Sequence, residues 1–356
     1  MKILLSTGSG IGDLMFALPA CLALKNKNPH NKCCLLCRGN KNTLKTLNSI
    51  LDICIKCVDG IEYYNSSEFR HNVSLLYRLY KSHFDYGIVM MYKNQPKSKW
   101  PVRILRFTSD ETIALRNYVE GNEGITHLVS VEAERLHNVD AYFMPLKYFG
   151  IPNEVDKNSY YNKIFDNNKI EKIIKDLKTK YSINNYIVLC VGTNTVKRKI
   201  DGKYISNDVK SWAIDNWLET ANQLVDAGYQ VVLLGGKQEN DKLSDAGIVL
   251  SESVVNLINK TSINESIAML SGAQLVVGCD TGLMHCAAAL DKKTIMLLGA
   301  VAPEQAQGYG PLSSSVYLHK DCSPCYGMGR DLFCSNPFCM TDIKVGDVVR
   351  KIKSVL

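Results

Sequence analysis

Apolar runs of strand length alternate with stretches of helix length along most of the chain. This alternation restricts the possible folds more than any single motif does. Residues 2–6, 32–37, 53–58 and 86–91 read as strands, and residues 13–27, 41–50 and 73–82 read as helices between them. Such an order implies a parallel sheet with helices on its faces. Residues 93–130 are less regular and predict a functional loop region, whereas 132–149 predicts an amphipathic helix stopped by Gly150 and Pro152.

The polar stretch 153–168, rich in Asn, Asp and Tyr, reads as a linker. The alternation then resumes, with helices at 169–180, 213–227, 240–246, 263–271 and 283–290 and strands at 186–191, 230–234, 254–257, 274–278 and 294–298. A length of 356 residues suits two domains, placed at 1–160 and 161–340 with a terminal segment 341–356. The expected fold class is therefore α/β, with two Rossmann-like, doubly wound halves facing a cleft at the carboxyl ends of their strands.

Lys and Arg total 42 against 35 Asp and Glu, and the resulting excess of +7 is scattered. The one cluster is Lys93, Lys97, Lys99, Arg103 and Arg106 around Trp100. Neither a basic helix nor a stripe interleaved with aromatics is evident, which argues against nucleic acid as partner. An acidic small molecule or an anionic membrane surface fits the excess better, although a solvated loop is the simplest account of the cluster.

Lys2 and the apolar stretch up to Cys21 superficially resemble a leader peptide. Asp13 interrupts that stretch, and Leu14–Leu24 is too short to span a bilayer, so the expectation is a cytoplasmic protein, with contact at the inner membrane surface left open. The thirteen cysteines, several of them in apolar runs (Cys33, Cys34, Cys190), suit the same compartment, and their odd number argues against a full disulfide framework.

The stretch Asp280-Thr281-Gly282-Leu283-Met284-His285 turns from a strand into a helix of small residues. Such a helix start presents unpaired N–H groups and attracts anions, although Asp280 or Thr281 as an ordinary N-cap accounts for it equally. His285 lies one turn inside and is as readily structural as ligand-binding. Upstream, Thr193 and Asn194 end a strand, and Lys210-Ser211-Trp212 precedes a helix, so that Lys210 is placed either to neutralise a phosphate or merely to be solvated. Glu239, after Gly235-Gly236, suits either ribose hydroxyls or the first turn of its own helix.

The first glycine loop, Gly8-Ser9-Gly10-Ile11-Gly12-Asp13, departs from the dinucleotide fingerprint: its third glycine comes one position early and Asp13 stands where that glycine belongs. Local sequence favours Asp13 as a helix cap over a general base. Near the end, Cys322, Cys325, Cys334 and Cys339 form a C-x2-C-x8-C-x4-C pattern in the loop 320–340. Four thiols so close in sequence suit a structural zinc or iron site, with free thiols or a redox pair as the alternative.

Taken together, these residues resemble glycosyltransferase family 9, the lipopolysaccharide heptosyltransferase-like enzymes. The resemblance rests on Gly10-Ile11-Gly12-Asp13 with Leu18-Pro19, on His137 and the segment through Leu146, Phe149 and Gly150, on Lys210-Ser211-Trp212, on Gly235-Gly236 with Glu239, on Asp280-Thr281-Gly282 with His285, and on the cysteine loop. It implies a GT-B fold whose last helix crosses back to the first domain, and an inverting transfer of a sugar, usually a heptose from an ADP-activated donor. It implies Asp13 as catalytic base, Lys210 with the backbone of Thr281 and Gly282 on the diphosphate, Glu239 at the nucleoside and Asp280 at the donor sugar. Thr193 and Asn194 match a phosphate-contacting segment. Gly10, Gly12, Lys93 and Arg103 fall on the acceptor side, where a glycan, a lipid-linked glycan or a protein hydroxyl all fit. Preorganised amides and Lys210 would stabilise the leaving group without a catalytic metal.

The polar insertion carrying Lys197, Arg198, Lys199 and Lys203 departs from the family pattern and leaves the phosphate-binding lysine ambiguous. A nucleotide-sugar epimerase of the same architecture, or a metal-stabilised assembly protein, are the alternatives. Oligomerisation is compatible with each.

Overall fold

The computed structural model describes residues 1–90, 99–115, 124–130, 136–193, 196–200, 203–207, 209–325 and 334–356. The chain divides into two compact units, Met1–Asp166 and Asn167–Leu356. The division falls within the polar stretch, slightly later than the expected boundary at 160.

The first unit comprises β1 (Lys2–Thr7), α1 (Ile11–Lys27), β2 (Lys32–Arg38), α2 (Lys41–Leu51), β3 (Gly60–Tyr64), α3 (Phe69–Ser82), β4 (Phe84–Val89), α4 (Lys99–Thr108), β5 (Ser109–Leu115), β6 (His127–Val129), α5 (Asn138–Phe143) and the short α6 (Asn158–Tyr161). Its strands form one parallel sheet in the order β3-β2-β1-β4-β5-β6. Ile3 of the central β1 pairs with Cys33 on one side and Tyr86 on the other, so β1 is buried on both faces, and its residues 3–5 read as an apolar run.

Three expectations for this unit need correction. The strand expected at 53–58 is absent, and β3 lies further on. The apolar residues Ile53, Cys54 and Cys57 are buried, but their segment meets the polar stretch: Ile55 N–H donates to Ile164 O, and Cys54 bridges to Phe165. Within 93–130 the described residues hold α4, β5 and β6, with Ile113, Ala114 and Leu115 buried in the sheet, whereas 93–98 and 116–123 lie outside the described residues. The helix expected at 132–149 starts as α5 only at Asn138, after His137 Nδ1 accepts the Val139 N–H at 3.1 Å. It tightens into a 3-10 segment from Met144, where Pro145 removes a backbone donor. Residues 131–135 lie outside the described residues.

The second unit comprises α7 (Asn167–Tyr181), β7 (Tyr186–Cys190), β8 (Val196–Ile200), β9 (Lys203–Asn207), α8 (Ile214–Asp226), β10 (Gln230–Leu234), α9 (Lys237–Leu243), β11 (Val255–Asn256), α10 (Ile263–Ser271), β12 (Leu275–Cys279), α11 (Gly282–Ala289), β13 (Thr294–Leu298), α12 (Pro303–Ala306), β14 (Ser313–Tyr317), α13 (Phe338–Thr341) and α14 (Val345–Val355). Its parallel sheet repeats the order of the first, β11-β10-β7-β12-β13-β14. The polar insertion folds into an antiparallel hairpin, β8–β9. Edge strand β14 was not expected, because Ser-Ser-Ser-Val-Tyr has no apolar alternation.

The segment set apart as 341–356 belongs by its contacts to the second unit. Val348 and Ile352 of α14 join the core built on Trp217, Leu218 and Ala221 of α8. No described helix is long and apolar enough to cross a membrane.

Candidate active site

In each sheet the strand order reverses beside its first strand, β1 or β7, and ligands of such folds bind outside the carboxyl ends of the strands at that point. Several of the polar residues singled out in the sequence lie at these strand ends.

Strand β12 ends at Gly278 and Cys279. A Cβ at Gly278 would lie 2.7 Å from Met284 Sδ and 2.9 Å from Cys190 Cβ, so only glycine lets α11 turn back this tightly onto the sheet. Thr281 is the extended N-cap of α11 (φ −142°, ψ 158°), and its side chain makes no capping bond. The first amides of α11 are therefore available to an external acceptor, in the field of the helix dipole.

Asp280 precedes this helix and is the hub of the site. Its Oδ2 lies 2.5 Å from Lys210 Nζ, and its Oδ1 lies 3.5 Å from His285 Nε2. Its backbone carbonyl accepts a hydrogen bond from Thr193 Oγ1 at 3.0 Å, which ties the end of β7 to the end of β12 across the reversal point. Burial pushes the Asp280 carboxyl upward, but the Lys210 ammonium and the hydrogen bond from His285 outweigh burial and hold it well below the usual carboxylate range. Two residues after Lys210 the chain is anchored: Trp212 Nε1–H donates to Ile343 O at 2.9 Å, and the Trp212 ring meets Trp217 edge-on with centroids 4.9 Å apart.

Glu239 is buried, and its Oε2 accepts the Gly236 N–H at 2.9 Å at the start of α9. Its carboxylate lies against Gly192, where a Cβ would come within 2.8 Å of it. Gly192 adjoins Thr193, so Glu239 stands beside the Asp280 group while bracing its own helix.

In the first unit Asp13 has the same local arrangement. Its Oδ2 accepts the Gly10 N–H at 2.9 Å, with Gly10 as N-cap and Gly12 in the first turn of α1. A Cβ at Gly8 would fall on the Asp13 carboxylate. The first glycine of the loop thus makes room for a side chain of the protein itself. Thr7 Oγ1 contacts both the Asp13 carbonyl (3.3 Å) and the Tyr142 hydroxyl (3.1 Å), and the Tyr142 ring lies 6.3 Å from that of Phe16, so α5 braces the start of α1. Arg103 is exposed on α4, away from this loop in sequence. Lys93 and Asn194 lie outside the described residues.

Cys322, Cys325, Cys334 and Cys339 all line one pocket with Val209, Ala300, Asn336 and Pro337. Val209 is the residue before Lys210, so the thiol pocket abuts the loop that carries the lysine. Burial, and then the proximity of Cys325, Cys322 and Cys334, push the Cys339 thiol up to about 11. Converging soft donors whose ionisation is mutually unfavourable suit a thiophilic cation. Among the described residues, no three His, Cys, Asp or Glu side chains stand at metal-holding geometry.

The second unit thus brings Thr193, Lys210, Glu239, Asp280, Thr281, Gly282 and His285 together. A cation and helix-start amides suit a diphosphate, and flanking carboxylates suit hydroxyl groups.

Comparison with known proteins agrees with this chemistry. The model of glycosyltransferase family 9 (heptosyltransferase) matches residues 152–334. Lipopolysaccharide heptosyltransferase 2 of Salmonella typhimurium is 31% identical over 99 residues, which cover 27% of this chain and 28% of that protein. Lipopolysaccharide heptosyltransferase 1 of Escherichia coli is 28% identical over 130 residues, covering 36% of this chain and 40% of that protein. The matched stretch therefore spans well under two thirds of these relatives. The structure of E. coli ADP-heptose lps heptosyltransferase II superposes with a TM-score of 0.68 at 18% identity, covering 100% of this chain and 98% of that one. A family 9 glycosyl transferase from Veillonella parvula gives 0.75 at 12% identity, covering 99% and 96%. The dodecameric iron-containing heptosyltransferase TibC in complex with ADP-D-beta-D-heptose gives 0.55 at 14%, covering 99% and 76%. These likenesses establish the GT-B fold.

Proposed function

The chain belongs to glycosyltransferase family 9, and from that premise we propose that it transfers a sugar, a heptose from ADP-heptose, to a hydroxyl acceptor with inversion. The observation that carries the proposal is the Lys210–Asp280–His285 group at the amide end of α11. Breaking the bond between sugar and phosphate leaves charge on the departing diphosphate. Lys210 and the amides of Thr281 and Gly282 are preorganised donors for that charge. Asp280 orients Lys210 with one oxygen, and the carboxylate serves the hydroxyls of the donor sugar. Glu239 serves the ribose.

Asp13 takes the proton of the acceptor hydroxyl as it attacks the anomeric carbon. Its bond from the Gly10 amide fixes the carboxylate for this task and leaves it half-buried rather than sealed in the core. Gly10, Gly12, Lys93 and Arg103 are the proposed acceptor-side residues. Support for ADP-heptose as donor comes from the names of the relatives and neighbours, and lipopolysaccharide assembly is the corresponding process.

The four thiols at 322, 325, 334 and 339 would hold zinc or iron, as TibC holds iron, and the metal's role would be to close the loop. Titration calorimetry with ADP-heptose, UDP-sugars and GDP-sugars tests the donor. ADP-heptose should bind, and Lys210→Ala should weaken it at least tenfold; equal weak binding of all three nucleotides would reject the assignment.

A further inference from the structure

Helix α3 carries an apolar stripe that the first unit does not cover. Phe69, Val73, Tyr77 and Tyr80 fall at helical spacing on one face and are 76%, 51%, 64% and 57% exposed. The core contacts of α3 lie on another face, through Asn72, Leu75 and Leu79. The stripe continues onto α4, where Phe107 is 58% exposed and its ring stacks on Tyr80 with centroids 5.3 Å apart. Two neighbouring helices thus present one continuous aromatic patch.

The charges carried by the two helices themselves have one sign. Arg70 and Lys81 on α3 and Arg103 and Arg106 on α4 are exposed, and neither helix contains a carboxylate. Lys81 Nζ lies 5.7 Å from the Tyr77 ring centroid, its stem running along the aromatic surface. Nearby carboxylates are engaged: Glu62 with Arg78 at 2.9 Å, Glu68 with Tyr63 and Asn65, and Asp110 with His83 at 3.2 Å.

We propose that the α3–α4 face docks this protein on an anionic lipid bilayer, with Phe69, Tyr77, Tyr80 and Phe107 entering the headgroup region and Arg70, Lys81, Arg103 and Arg106 pairing with lipid phosphates. Exposed aromatic rings bordered by cations are the composition of interfacial helices. A second copy of the chain fits this surface poorly, because a two-fold contact would bring together two faces that each carry an excess of cations. The inference rests on the surface alone and does not depend on the assignment of the donor or of Asp13.

Flotation of the full chain with phosphatidylcholine vesicles, with and without phosphatidylglycerol, tests it. Binding should require phosphatidylglycerol and fall as salt is raised. Phe69→Ser/Tyr77→Ser/Phe107→Ser and, separately, Arg70→Glu/Lys81→Glu should each reduce the bound fraction about tenfold or more, with unchanged melting temperature. Equal binding to both vesicle types, no binding, or variants that float like the parent would overturn the proposal. A concentration-dependent dimer abolished by the same serine variant would assign the face to a second copy instead.

Discussion

Asp280 and Lys210, seventy positions apart in the chain, meet carboxylate to ammonium at 2.5 Å where β12 passes into α11. Neither is more than one-fifth exposed, so each compensates the other's loss of water. The pair also sets the polarity of the site, because the carboxylate holds the cation beside the anion-attracting start of α11.

Breaking the pair on one side should cost more than removing both partners. Lys210→Met leaves a buried carboxylate, whereas Lys210→Met with Asp280→Asn leaves two neutral groups. Urea unfolding of the two single variants and the double variant should give a coupling of about 1–3 kcal/mol. Strict additivity would mean that the two groups do not interact in solution.

The lowered Asp280 pKa fixes the sign of a pH effect. A depressed folded-state pKa contributes stability that is fully present above the unfolded value of about 4 and is lost as pH falls from there through the folded value. The stability difference between the parent and Asp280→Asn should therefore be constant from neutral pH down to roughly 5 and shrink below about 4. A difference that grows on acidification would contradict the assignment.

Asp13 separates structure from chemistry through a conservative change. Asn at this position keeps an oxygen for the Gly10 amide but has no basic carboxylate. Turnover of Asp13→Asn should fall about 10²–10⁴-fold, with donor affinity and melting temperature near those of the parent. Undiminished turnover would confine Asp13 to its capping role. Gly8→Ala should lower both turnover and stability, because its methyl group displaces the same carboxylate.

Gly278→Ala tests the tight turn onto α11. The added carbon meets Met284 and Cys190 at under 3 Å, and relief requires α11 to shift. A loss of about 1–3 kcal/mol by denaturant unfolding is expected, together with weaker nucleotide binding.

The thiol pocket predicts metal in the purified protein. Elemental analysis should find roughly one equivalent of zinc or iron per chain, lost in Cys325→Ser or on chelation with a drop in melting temperature. Metal at background level in the parent protein would remove the site.

Much of the fold was legible because strands buried in a parallel sheet are uninterrupted apolar runs. The bounds expected from sequence at 230–234, 294–298 and 263–271 coincide with β10, β13 and the capped helix Ile263–Ser271. Edge strand β14, half-exposed and rich in serine, carries no such run. Residues 53–58, apolar except for Lys56, have the look of a strand, but the backbone partners of residues 53, 54 and 55 are residues 166, 165 and 164.

The sequence by itself determined the two wound sheets, the helix start at Asp280-Thr281-Gly282 and the local choice of an acid to cap α1, because apolar period and capping chemistry act over a few residues. Tertiary structure alone decided that Asp280 meets Lys210, that Gly8 and Gly192 shelter carboxylates, and that four cysteines share one pocket. It also decided that the aromatic stripe of α3 faces outward, which helical period leaves open, since spacing marks a face without saying what lies against it. Contacts between distant segments depend on how the sheets bring strand ends together, and no local pattern encodes that.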